Sequence, residues 1–87
     1  MEYKLDGNAA AGTLQEIFPF EMTLAQITCT GCGTTNMIGA TAAYMHGMGT
    51  ILRCPVCDTA LIRLVHAKGH YWLDMRGVRV LQISVEA

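Results

Sequence analysis

Four cysteines carry the most legible chemistry in this sequence. They stand as Cys29-Thr30-Gly31-Cys32 and Cys54-Pro55-Val56-Cys57, two C-x2-C pairs with 21 residues between them. Two residues between cysteines let both thiolates of a tight turn point at one ion. Two such pairs complete a four-sulfur tetrahedral site, and the spacing lies just beyond the range of about 15–20 residues usual in zinc ribbons. The residue after each second cysteine often takes a left-handed backbone so that N–H groups face the sulfurs. Gly33 suits that conformation, and Asp58 is among the few other types that tolerate it. Pro55 fixes φ in the second turn. The expected ligand set is therefore Cys29, Cys32, Cys54 and Cys57 around one structural Zn2+ per chain. The 21 intervening residues are expected to form a hairpin that returns the second pair to the first.

Other uses of the cysteines are less favoured. A rubredoxin-like iron site needs the same ligands, but no aromatic residue follows Cys32. Disulfides fit secreted chains, and the N-terminus Met1-Glu2-Tyr3-Lys4-Leu5-Asp6 lacks the basic and apolar regions of a signal peptide. A redox C-x-x-C expects a βαβ context, and none is visible. A closed four-cysteine site leaves no position for water or substrate, so the chain is not expected to be an enzyme. Ser84 is the only serine, and no paired carboxylates stand out.

His46, His66 and His70 could be metal ligands or acid–base groups, but read more readily as polar strand and turn residues; His66 and His70 flank a turn and could face each other across a hairpin as a second metal site. Arg53, Arg63, Arg76 and Arg79, with Tyr71 and Trp72, can be read as a nucleic-acid platform. They can equally form a solvated sheet face, with Trp72 in the core or under a helix. Asp74 and Arg76 are expected to pair across a turn.

The elements that must position the knuckles follow from pattern. Asp6 to Phe18 reads as a helix capped by Asp6 or Asn8, with Ala10, Leu14, Ile17 and Phe18 on one stripe and Pro19 as its stop. Gly12 lowers helix propensity unless it permits close packing. Thr23–Thr28, Ala40–His46, Thr50–Arg53, Ala60–His66, His70–Met75 and Val78–Val85 read as strands. Gly47-Met48-Gly49, Lys68-Gly69 and Arg76-Gly77 read as turns, and Thr34 to Gly39 as a loop. The expected fold is a small mainly-β (α+β) metal-stabilised domain spanning residues 1–87. It comprises an N-terminal helix (6–18), a zinc-knuckle hairpin region (23–58) and an antiparallel three-stranded β-meander (60–85).

Composition agrees with one compact domain that needs a staple. The 87 residues are 52% hydrophobic and 15% charged, with net charge −1. That excludes a disordered tail or a basic nucleic-acid arm, and no apolar run approaches the roughly 18 residues of a membrane helix. Residues 1–52 carry one basic and four acidic side chains; residues 53–87 carry five basic and three acidic. The mildly complementary halves can help segments dock or two copies associate. A domain this short has a marginal core, which a metal would stabilise.

Leu5-Asp6-Gly7-Asn8-Ala9-Ala10-Ala11-Gly12, the two knuckles, Leu52-Arg53-Cys54-Pro55 and Trp72-Leu73-Asp74-Met75-Arg76-Gly77 together resemble a family of small, mainly actinobacterial proteins of unknown function. That family has a predicted four-cysteine zinc ribbon. The resemblance spans about residues 5 to 83 and implies zinc at the four cysteines, a cytoplasmic setting and no assigned activity. The functional expectation is an interaction module acting through an unknown protein partner or a homo-oligomer. Its alternative is a nucleic-acid-binding zinc ribbon, which the net charge disfavours. No membrane partner is expected.

Overall fold

The computed structural model describes residues 3–47 and 49–85. Among the described residues eight strands form two antiparallel sheets, joined by short helical turns. Strands β1 (Tyr3–Asp6), β4 (Ala42–His46), β5 (Gly49–Arg53), β6 (Ala60–Ala67) and β7 (His70–Asp74) make a five-stranded sheet in the order β1-β4-β5-β6-β7. Strands β2 (Gln26–Cys29), β3 (Thr35–Met37) and β8 (Val78–Gln82) make a three-stranded sheet in the order β3-β2-β8. Among the described residues no helix is long and apolar enough to cross a membrane.

The helix expected over 6–18 is shorter and broken. Residues Tyr3–Asp6 form β1 against β4, then Gly7–Ala10 is a 3-10 turn, and only α1 (Ala11–Gln15) is α-helical. Asp6 does cap the segment, its carboxylate accepting the Asn8 N–H at 3.1 Å. Its stripe points inward as expected, with Ala10 and Leu14 buried and Phe18 packed against the core. Gly12 is exposed and meets nothing, so it serves no close packing. The loop expected over Thr34 to Gly39 instead supplies β3 and most of the 3-10 turn Ile38–Ala40, which buries Ile38 fully.

The C-terminal meander is corrected by the topology. β6 and β7 form a hairpin through Lys68 and Gly69, both at positive φ, as a two-residue type I′ turn requires. β8 does not continue that sheet. At Gly77 the chain crosses to the other sheet, where β8 pairs with β2 and sets Leu81 opposite Ile27. The reason is burial: beside β2, Leu81 and Val78 pack on the core, whereas beyond β7 they would lie at a solvated edge. The core lies between the two sheets and the N-terminal helical turns. It is built from Leu14, Met22, Ile27, Ile38, Leu52, Leu61 and Ile62, with Cys29 and Cys54 among them. Trp72, expected in the core or under the helix, is 52% exposed on β7.

The Gly47-Met48-Gly49 turn joins β4 to β5 with His46 opposite Gly49; Met48 itself lies outside the described residues. Asp74 and Arg76 pair as expected at 3.4 Å, an exposed contact worth about 0–1 kcal/mol.

Candidate metal centre

Each cysteine pair occupies the turn of its own hairpin. Cys29 ends β2 and its knuckle leads into β3; Cys54 follows β5 and its knuckle leads into β6. The pairs therefore come from different sheets. The hairpin expected between them exists as β4–β5 and sets Arg53, the residue before Cys54, opposite Ala42.

The two knuckles match atom for atom. Cys29 N–H donates to Thr34 O (2.9 Å) and Cys54 N–H to Thr59 O (2.8 Å). Gly33 N–H donates to Cys29 O (2.9 Å) and Asp58 N–H to Cys54 O (3.0 Å), closing both turns. The residues needed in the left-handed region adopt it, Gly33 at φ 75° and Asp58 at φ 67°. Gly31 N–H then points at Cys29 Sγ (3.2 Å) and Val56 N–H at Cys54 Sγ (3.4 Å). The first cysteine of each pair is buried and the second exposed.

All four sulfurs lie within 4.8 Å of one another. The cross-knuckle distances Cys29–Cys57 and Cys32–Cys54 are both 3.6 Å. A tetrahedron with metal–sulfur bonds of ~2.3 Å has edges of about 3.8 Å. A disulfide needs about 2.05 Å, and all four thiols are free. The donor set thus fits one tetrahedral ion, and such a group of sulfurs can hold a metal.

Two residues that sequence reasoning missed complete the site. Thr34 Oγ1 lies 3.0 Å from Cys32 Sγ, and Thr59 Oγ1 lies 3.0 Å from Cys57 Sγ. A hydroxyl beside a thiolate donates to it and spreads its charge. The signal was present as a repeated C-x-x-C-x-T, Cys29 to Thr34 and Cys54 to Thr59. Burial pushes the Cys54 thiol up, but the N–H groups of Cys57 and Val56, with Thr34 and Cys32, outweigh it and bring it down to about 6. Arg53 braces the second knuckle, donating to Asp58 O at 3.0 Å.

Replacing both Thr34 and Thr59 by valine keeps shape and removes the hydroxyls. Metal affinity, measured by chelator competition, is expected to fall about tenfold or more while the fold persists.

A comparison with known families matches residues 1–86 to a family of unknown function (DUF6510). The chain belongs to that family. No curated protein and no solved structure matches it. The family description assigns no chemistry, so the four-cysteine cluster is what this member offers to reason from.

The other candidates do not assemble a site. His66 stacks on Tyr71, its cross-strand partner, with ring centroids 4.2 Å apart. His70 pairs with Ala67 and packs its edge on Trp72 at 5.7 Å, so the two histidines point to opposite faces of the hairpin. Among the described residues the cysteines are the only metal-ligating group of three or more.

Proposed function

We propose that Cys29, Cys32, Cys54 and Cys57 bind one structural Zn2+ and that the protein is a zinc-ribbon-like interaction module rather than an enzyme. The observation that carries this reading is the meeting of two matched knuckles, with cross-pair sulfurs 3.6 Å apart. Four thiolates close the coordination sphere, so the ion stabilises and does not react with substrate. Its contribution, about 10–16 kcal/mol apparent in zinc-finger peptides, matches the stability of a whole small domain. Unpaired reduced cysteines suit a reducing compartment, and the cytoplasm is the proposed setting.

The test is metal analysis of protein purified without added metal, with unfolding scans before and after chelation. One zinc per chain and loss of the cooperative transition on chelation support the reading. Iron, or a metal-free chain with an unchanged transition, overturns it.

A second reading, nucleic-acid binding, draws on Trp72. It stands half exposed opposite Val65, two residues from Asp74, the cross-strand partner of Arg63. Exposed aromatics near arginine can stack on bases. Against it stand Asp74 beside Arg63 and a net charge of −1. Salt-sensitive binding of single-stranded or duplex oligonucleotides at low salt would favour it, and no binding would remove it.

A further inference from the structure

Strand β7 ends the five-stranded sheet, and its outer edge pairs with nothing among the described residues. Natural edges are usually shortened, charged, bulged or interrupted by proline. β3 has three residues and β1 four, while β8 carries Arg79. β7 is five residues long with no proline or bulge, and its one charged side chain, Asp74, stands at its end and is paired with Arg76. It runs His70-Tyr71-Trp72-Leu73-Asp74 in unbroken register with β6, and Tyr71, Trp72 and Leu73 are 39%, 52% and 38% exposed.

The direction of its free backbone groups follows from the hairpin. Ala67 and His70 close a two-residue turn and so form a hydrogen-bonded pair. By alternation Trp72 and Asp74 also bond inward to β6. The N–H and C=O groups of Tyr71 and Leu73 therefore point outward.

We infer that β7 pairs antiparallel with β7 of a second copy, about a two-fold axis at Trp72, fusing two five-stranded sheets into one. In that register Tyr71 of each copy meets Leu73 of the other, satisfying every outward group of the strand's centre. Trp72 meets Trp72 in a non-hydrogen-bonded pair, where side chains approach most closely. His70 meets Asp74 of the second copy, a hydrogen-bonded pair made twice. Side-chain pairing and the length of the strand select this register. Centring on Leu73 sets His70 opposite Arg76, and centring on Tyr71 runs half the strand past the Lys68–Gly69 turn. The two-fold contact is closed and stops at a dimer.

The inference deepens the interaction-module reading and is independent of which metal the cysteines hold. Light scattering after size exclusion is expected to give twice the chain mass for the metal-loaded protein. Trp72 is the only tryptophan, so its emission is expected to shift red on dilution as the pair opens. Leu73→Pro removes an outward N–H that the monomer does not use and is expected to yield a folded monomer. His70→Asp sets carboxylates opposite one another and is expected to weaken the dimer about tenfold or more. The exchange His70→Asp with Asp74→His is expected to restore it.

A strict monomer, a larger polymer, or a dimer indifferent to both single variants overturns the inference. So does a monomer whose Trp72 is quenched by single-stranded oligonucleotide. Metal content read on the same samples separates these failures from a failure of the zinc reading.

Discussion

Replacing Cys54 with alanine is expected to leave the chain metal-free and without a cooperative fold at 25 °C. Cys54 is buried to 2% exposure within the core, and its sulfur lies 3.6 Å from Cys32 of the other knuckle. Removing it takes one of four ligands and with it most of a binding free energy of about 10–16 kcal/mol, which is as large as the stability of a small domain. The geometry also says where the damage goes. Cys29 and Cys32 belong to the β2–β3 hairpin, Cys54 and Cys57 to β5–β6, and among the described residues no backbone ladder joins those two sheets. The sulfur centre ties one hairpin turn to the other. Loss of near-ultraviolet circular dichroism together with loss of bound metal checks the prediction. Cys57→Ala is the companion: its residue is exposed and its packing loss small, so an equal collapse would isolate ligation from packing. A Cys54→Ala chain that unfolds at the wild-type temperature would remove the structural-metal reading.

The knuckles were legible because their information is local. Two cysteines, a turn-tolerant residue after each pair and a proline specify the turn without knowledge of the rest of the chain. Most strands were legible for the same reason, since β-branched and aromatic runs between glycine turns specify hairpins. What failed was non-local. β1 is four residues long and exists because β4 offers an open edge, which no short window reveals. β8 reads as the next strand of a meander because Arg76-Gly77 reads as a hairpin turn, but it lies on β2, where Leu81 faces Ile27. Trp72 reads either as part of an exposed platform or as a residue in the core or under the helix, and the structure leaves it half exposed on the edge strand β7. Thr34 and Thr59 carry no signal in isolation, because threonine ordinarily reads as a turn or strand residue. Only the alignment of one knuckle on the other gives both hydroxyls the same purpose.

Gly77→Ala is expected to destabilise the protein by about 3 kcal/mol or more, the upper range for overpacking a site with no room to relax. Gly77 is the point where the chain leaves one sheet for the other. It is buried, and its carbonyl accepts the N–H of Thr30 in the first knuckle at 3.0 Å. A Cβ there would stand 2.0 Å from Ala60 O and 2.7 Å from Leu61 Cα, both backbone atoms of β6 just past the second knuckle. Nothing flexible can yield, so either the crossover or β6 must move, and each movement displaces a cysteine pair. Gly7→Ala tests the same physics away from the metal centre, since its Cβ would lie 1.7 Å from Ile38 O, where the two 3-10 turns pack together. The control is Gly12→Ala, in α1, where a Cβ meets nothing within 4 Å. That change is expected to stabilise by about 0.5–1 kcal/mol, raising Tm by a few degrees. Thermal scans of the three variants should therefore move in opposite directions, and chelator competition adds a second axis. Gly77→Ala should weaken metal retention along with the fold, whereas Gly7→Ala should lower Tm with a smaller effect on metal. Equal metal retention in Gly77→Ala and wild type would mean that the crossover does not hold the knuckles together.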